Sequence, residues 1–224
     1  MTLKYKLVIF DWDGTLVDST GRIVDSMQQA AAEVGLDVVP DAAVQNIIGL
    51  GLPEALRTVW PAINDDQLET MTQVYARTFV YDSKVAMDFF TGVAGLFAQL
   101  RGDGRLLAVA TGKSRRGLNR MLDELQVDGR PVAEQFVATR CADETRSKPH
   151  PQMLQELLQQ LNLSAQQALM VGDTSYDLDM AASLGMDSVA MSHGAHDDAV
   201  LLACGPQALC HNIEELNQWI KQYG

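Results

Sequence analysis

The 224 residues include 17 basic and 29 acidic side chains, a formal net charge of −12. With 47% hydrophobic and 21% charged residues, the composition is that of a globular protein. It excludes a disordered acidic segment, a collagen-like repeat and a disulfide-dense mini-protein. The acidic balance argues against nucleic acid or an anionic membrane as partner, since both need a basic footprint. A bound metal ion can still reverse the potential locally and admit a phosphorylated ligand.

In chain order, Leu7-Val8-Ile9-Phe10 reads as a buried strand that stops at Asp11. With only Lys4 and Lys6 before it, this run is too short for a signal peptide. Residues 19–84 show no strand and several helical stripes. Ile23, Met27, Ala31 and Val34 form one, closed by Gly35. Pro40-Asp41 opens a second, with Val44, Ile47 and Ile48, halted at Gly49. Pro53 suits the first turn of a third, carrying Leu56 and Trp60 and stopped by Pro61. Leu68, Met71, Tyr75 and Phe79 make a fourth. A helical stretch of about sixty-five residues is too large for a loop. It is expected to form a small domain over the end of the sheet.

Beyond it, four more apolar runs, 106–110, 136–138, 168–171 and 188–191, are predicted strands. Between them lie helical patterns through Leu118, Met121, Leu122 and Leu125, through Met153, Leu154, Leu157, Leu158 and Leu161, and from about Tyr176 to Gly185. This alternation predicts an α/β fold with a parallel sheet covered on both faces. Ligands then bind beyond the carboxyl ends of the strands. No apolar run reaches the ~20 residues a spanning helix needs. Cys141, Cys204 and Cys210 lack CxxC spacing and suit a reduced, cytoplasmic chain.

Polar residues follow the strands at four places. Asp11-Trp12-Asp13-Gly14-Thr15 follows the first, Thr111-Gly112-Lys113 the second and Gly172-Asp173 the fourth, with Asp177 one helical turn on. Lys148, in Ser147-Lys148-Pro149, lies in an extended loop after the third. In a parallel sheet all four gather at one end. Crowded carboxylates Asp11, Asp173 and Asp177 need a cation, and an all-oxygen set favours Mg²⁺ over zinc. Lys148 and the Thr111 hydroxyl suit a dianionic phosphoryl group. With that group's charge screened, Asp11 can attack phosphorus while Asp13 moves the proton of the leaving oxygen and of water. Gly14 allows a tight turn that brings backbone N–H groups toward phosphate oxygens.

Together these motifs resemble the haloacid dehalogenase superfamily, and the helical insert resembles the cap of its phosphoglycolate phosphatase-like branch. The resemblance implies a doubly wound, Rossmann-like core (residues 1–18 and 85–224) with the first strand in the middle, and an all-helical cap at 19–84. It implies a Mg²⁺-dependent phosphatase acting on a small phosphorylated metabolite through an aspartyl-phosphate. Asp11 corresponds to nucleophile and ligand, and Asp13 to acid/base and ligand through its carbonyl. Asp173 corresponds to the remaining carboxylate ligand, with Asp177 a ligand directly or through water. Thr111 and Lys148 complete the catalytic set. Gly14, Thr15, Gly112 and Lys113 are candidate substrate contacts, as are Asn46 and Arg57 around the cap sequence Gly49-Leu50-Gly51.

Each signal has a plainer reading. Asp173 and Asp177 could merely cap a helix, and Lys113 with Arg115 and Arg116 could be a solvated helix start. His193, His196, Cys204, Cys210 and His211 match no usual zinc spacing. Competing functions are a sugar-phosphate mutase, a pyrophosphatase and a non-catalytic phosphate-binding regulator. Carbon–halogen cleavage needs neither Asp13 nor a metal ligand at Asp173. The state of assembly stays open between monomer and homodimer.

Overall fold

The computed structural model describes residues 3–224. The first strand, β1 (Leu7–Phe10), is buried along its whole length. After it come four helices, α1 (Thr20–Val34), α2 (Asp41–Gln45), α3 (Leu52–Val59) and α4 (Asp65–Arg77), and a π-helical turn at Thr78–Asp82. The chain continues through α5 (Val93–Gly102), β2 (Leu106–Thr111) and α6 (Arg115–Glu124). A small hairpin, β3 (Gln126–Val127) with β4 (Arg130–Pro131), precedes β5 (Ala138–Cys141). Then follow α7 (Gln152–Leu161), β6 (Ala168–Gly172), α8 (Ser175–Ala182), β7 (Asp187–Met191), α9 (Asp198–Ala203), β8 (Ala208–Cys210) and α10 (Ile213–Tyr223).

Six strands form one parallel sheet in the order β5-β2-β1-β6-β7-β8, with β1 inside it. Alternation along each strand supplies both faces. Val8, Phe10, Leu107, Val109, Leu169 and Val171 pack with residues of α5, α6 and α10. Leu7, Ile9, Ala108, Ala110, Ala168 and Met170 pack with α7 and α8. Burial on both sides explains why β1 reads as an unbroken apolar run. The register pairs Phe10 with Val109 on one side and Val171 on the other, so the residues that follow these strands emerge at a common level.

The helical block has its own apolar cluster, including Ile23, Met27, Val44, Leu56, Trp60 and Met71. The segments joining it to the sheet run side by side: the Asp18 amide donates to the Asp88 carbonyl (2.9 Å) and the Phe90 amide to the Leu16 carbonyl (3.0 Å). Among the described residues no helix is long and apolar enough to cross a membrane.

Several elements differ from expectation. The third long strand starts at Ala138, not at Phe136, whose ring turns into the core against Phe97 and Trp12. The second cap helix ends at Gln45, and Ile47 and Ile48 lie in turns that keep them buried. Strand β8, with only three residues, carries too short an apolar signal to read from sequence.

Phe97 is fully buried and meets Phe10, Phe89 and Phe136 edge-on. Its replacement by Ala is expected to cost about 3–5 kcal/mol. Urea unfolding followed by circular dichroism reads this as a lowered midpoint with the native spectrum retained before the transition.

Candidate active site

The ends of β1 and β6 and the first turn of α8 deliver Asp11, Asp173 and Asp177 into one buried cluster, with one carboxylate oxygen from each lying within 4.8 Å of the others. The Lys148 ammonium, also buried, donates to Asp11 Oδ1 (2.7 Å) and Asp177 Oδ1 (2.6 Å). Lys148 arrives not on an extended loop but in a turn between β5 and α7, closed by the His150 amide donating to the Ser147 carbonyl (3.0 Å), and its bond to Pro149 is cis. Asp177 is held in place by the Thr174 amide (3.3 Å) and hydroxyl (2.7 Å), both donating to Oδ2. For Asp173, the Thr15 hydroxyl donates to Oδ1 (2.7 Å) and the Ala195 amide to Oδ2 (2.8 Å). Asp11 Oδ2 is buried with no hydrogen-bond partner.

One ammonium thus faces three carboxylates. Burial drives the Asp11 carboxyl up to about 7, with Asp177 and Asp13 adding to the rise against the pull of Lys148. Burial, then the charges of Asp11 and Asp177, also raise Asp173 well above the ordinary carboxylate range. Burial opposes the charge on Lys148, but Asp11 and Asp177 outweigh it and hold its pKa above the usual value. A partnerless buried oxygen among uncompensated carboxylates is the environment a hard cation completes. The residues present therefore fit a divalent metal. Among the described residues this is the one group of His, Cys, Asp and Glu close enough to hold such an ion, and His193, His196 and His211 belong to no other.

Asp13 lies beside the cluster, 8% exposed. The Ser19 hydroxyl donates to its Oδ1 (2.6 Å), and Lys113 Nζ lies 2.9 Å from each of its oxygens. Lys113 is therefore not a solvated helix start. Thr111 is buried, and its Oγ1 accepts from the Lys113 amide (3.2 Å), leaving the hydroxyl hydrogen to donate. Gly14 has φ +81°, and a Cβ there would overlap the Asp173 carboxylate, so the turn requires glycine.

The helical block closes over these strand ends through its turn at residues 46–51. The Gly51 amide donates to Ser147 Oγ (2.7 Å). The Asn46 carbonyl accepts from the Tyr176 hydroxyl (2.9 Å) and pairs with His196 Nε2 (3.3 Å). Since His196 Nδ1 accepts from the Ser175 amide (3.0 Å), Nε2 carries the proton and donates. Asn46 thus meets the core through its backbone. Arg57 is exposed and pairs with Asp65, making no hydrogen bond to the cluster.

Ser19, Ser147, Tyr176 and His196 carry no site signal in the sequence. Ser19 and Ser147 have no signal beyond nearness to a motif. His196 stood out only as half of a histidine-containing loop. Tyr75 and Phe79, which read as core stripe positions, are only partly buried, and the Phe79 ring reaches Lys113 (Nζ 4.6 Å from the centroid).

A Cβ at Gly112 would stand 2.5 Å from the Gly49 carbonyl oxygen and 2.6 Å from that of Leu50. Gly112→Ala is expected to lift the 46–51 turn from the sheet. Hydrogen exchange should then show the Gly51 amide, otherwise protected by Ser147, exchanging about tenfold faster or more, while amides of β1 keep their protection.

Comparison with known proteins places this geometry. Residues 8–191 match the profile of the haloacid dehalogenase-like hydrolases. The phosphoglycolate phosphatase of Rhodospirillum rubrum is 30% identical over 223 residues, spanning 96% of this chain and 90% of that protein. The probable phosphatase IndB of Dickeya dadantii is 31% identical over 215 residues, spanning 94% of this chain and 91% of that one. In fold, the chain is similar to a crystal structure described as a predicted phosphoglycolate phosphatase from Haemophilus somnus 129pt, with TM-score 0.86 at 21% identity over 98% of this chain and 99% of that one. The chain belongs to the haloacid dehalogenase-like hydrolases, within their phosphatases.

Proposed function

We propose that this chain hydrolyses a small phosphorylated metabolite in a Mg²⁺-dependent reaction that passes through an aspartyl-phosphate on Asp11. One observation carries the reading: Asp11 is buried with Oδ1 fixed by Lys148 and Oδ2 without a partner, amid two further carboxylates. Asp11, Asp173 and the Asp13 carbonyl would hold the ion, with Asp177 beside it. When bound, the ion supplies positive charge that lets anionic nucleophile and phosphoryl group approach.

Asp11 attacks phosphorus, the bond from phosphorus to the ester oxygen breaks, and that oxygen takes its proton from Asp13. Water then attacks the phosphoryl group and returns a proton to Asp13. The bond between phosphorus and Asp11 breaks, releasing inorganic phosphate and the free carboxylate. Lys148 and the Thr111 hydroxyl bind the phosphoryl oxygens. The division of labour is between a core of residues 1–18 and 85–224, which carries this chemistry, and a cap of residues 19–84, which closes over it. The name of the Rhodospirillum rubrum relative, a phosphoglycolate phosphatase, supports phosphoglycolate as the first substrate to assay. Three free cysteines, two of them buried, support a reducing, cytoplasmic setting.

Asp11→Asn is expected to abolish phosphate release from p-nitrophenyl phosphate with the fold intact by circular dichroism. Unchanged turnover removes Asp11 as nucleophile. Asp13→Asn should slow 2-phosphoglycolate by about 10²–10⁴-fold. The effect should be smaller on p-nitrophenyl phosphate, whose leaving group needs less proton assistance. Phosphate release, as opposed to isomer formation, separates a hydrolase from a mutase.

Protons compete with the cation for Asp11, raised to about 7, and for Asp173, raised also. Both folded values lie above the unfolded one, so the metal-free protein binds more protons folded than unfolded. It therefore loses stability as pH climbs from about 4 through about 7. Added Mg²⁺ should raise the melting temperature little at pH 5.5 and progressively more toward pH 8, as scanning fluorimetry can follow. A Mg²⁺ shift that does not grow with pH contradicts binding at these carboxylates.

A further inference from the structure

Lys113 stands apart from the groups that handle the phosphoryl oxygens. Its ammonium lies 2.9 Å from both oxygens of Asp13, and each of the two side chains is 11% exposed. The Phe79 ring of the cap covers it, and the Tyr75 ring adjoins Phe79 at 6.0 Å between centroids. The Lys113–Asp13 pair is thus covered on the cap side by the Phe79 ring.

Among the described residues the one other cation at the Phe79 ring is Arg22, 5.4 Å from its centroid and committed to backbone carbonyls. Arg22 donates to the Phe79, Val80 and Val85 carbonyls, Arg57 pairs with Asp65, and Arg77 pairs with Glu33 and Asp82. Lys84 is exposed. In the core, Lys148 is bound to Asp11 and Asp177.

Asp13 cannot serve a leaving oxygen while Lys113 bridges both of its own oxygens and Ser19 holds one of them. Withdrawing a carboxylate from a mostly buried ammonium is unfavourable unless another anion replaces it. A phosphomonoester with a carboxylate, or a like anion, attached directly to its ester carbon brings such a charge within a few ångströms of the ester oxygen. A neutral leaving group does not.

We propose that Lys113 exchanges Asp13 for an anionic group on the leaving moiety, so that the site selects small monoesters bearing a second anion beside the ester and releases Asp13 only for them. This rests on the phosphatase reading above and assigns its specificity to one side chain. A site built around a charged partner rejects the analogue that lacks it, because its own group is then left unpaired.

The test compares 2-phosphoglycolate with 2-hydroxyethyl phosphate, in which a neutral CH₂OH replaces the carboxylate, using the Mg²⁺-loaded enzyme. The wild-type kcat/KM should favour the anionic ester by about tenfold or more. Lys113→Met should reduce this ratio by about tenfold, and Lys113→Arg should restore most of it. Phe79→Ala, which admits water to the ammonium, should also lower the ratio and keeps the proposal testable should Lys113→Met not fold. A wild-type ratio within twofold of one overturns the proposal, as does a Lys113→Met enzyme in which both esters decline by the same factor. Wild-type enzyme that releases phosphate from no monoester, p-nitrophenyl phosphate included, defeats the phosphatase reading as well. Turnover with a ratio indifferent to Lys113 defeats this inference alone.

Discussion

The burial of three carboxylates around a single ammonium is the constraint on which the rest of this structure depends. Charges removed from water this way are costly unless paired and hydrogen-bonded. The fold meets much of that cost locally: Thr15 and the Ala195 amide serve Asp173, Thr174 serves Asp177, and Lys148 serves Asp11 and Asp177. What is left over is the unpartnered Oδ2 of Asp11 and a surplus of negative charge. That remainder is the feature a divalent cation would relieve. A site tuned for stability alone would have no reason to leave it.

The sheet makes this concentration of charge possible. Parallel strands place every carboxyl end on one edge, so residues more than 160 positions apart, such as Asp11 and Asp173, share a space a few ångströms wide. The cap turn then seals that edge with backbone groups. The Gly49 and Leu50 carbonyls approach Gly112 so closely that no side chain fits there, and the Asn46 carbonyl sits under two core donors. Contacts made by the main chain fix the closed arrangement and leave the cap side chain Phe79 to cover Lys113 beside Asp13.

Lys148 and Lys113 illustrate how similar residues take different parts by position. Lys148 is fully enclosed and bound to two carboxylates of the cluster, which makes it part of the charge balance of that cluster. Lys113 is held by one carboxylate, at the margin, under a ring contributed by the cap. Cation–aromatic contact and a single ion pair are exchangeable in a way that two buried ion pairs are not.

The sequence by itself determined the parallel sheet, the helical insert and the gathering of Asp11, Asp13, Thr111, Lys148, Asp173 and Asp177. Each is written in local periodicity or in position directly after an apolar run, and those signals survive folding because burial on both faces enforces them. Only the tertiary structure decided that Lys113 rests on Asp13, that Asn46 meets the core by its carbonyl and that Arg57 faces Asp65. It also decided where β5 begins and that β8 exists. Those outcomes turn on contacts between segments far apart in the chain, and on backbone groups every residue carries alike. Residue type therefore holds no record of them.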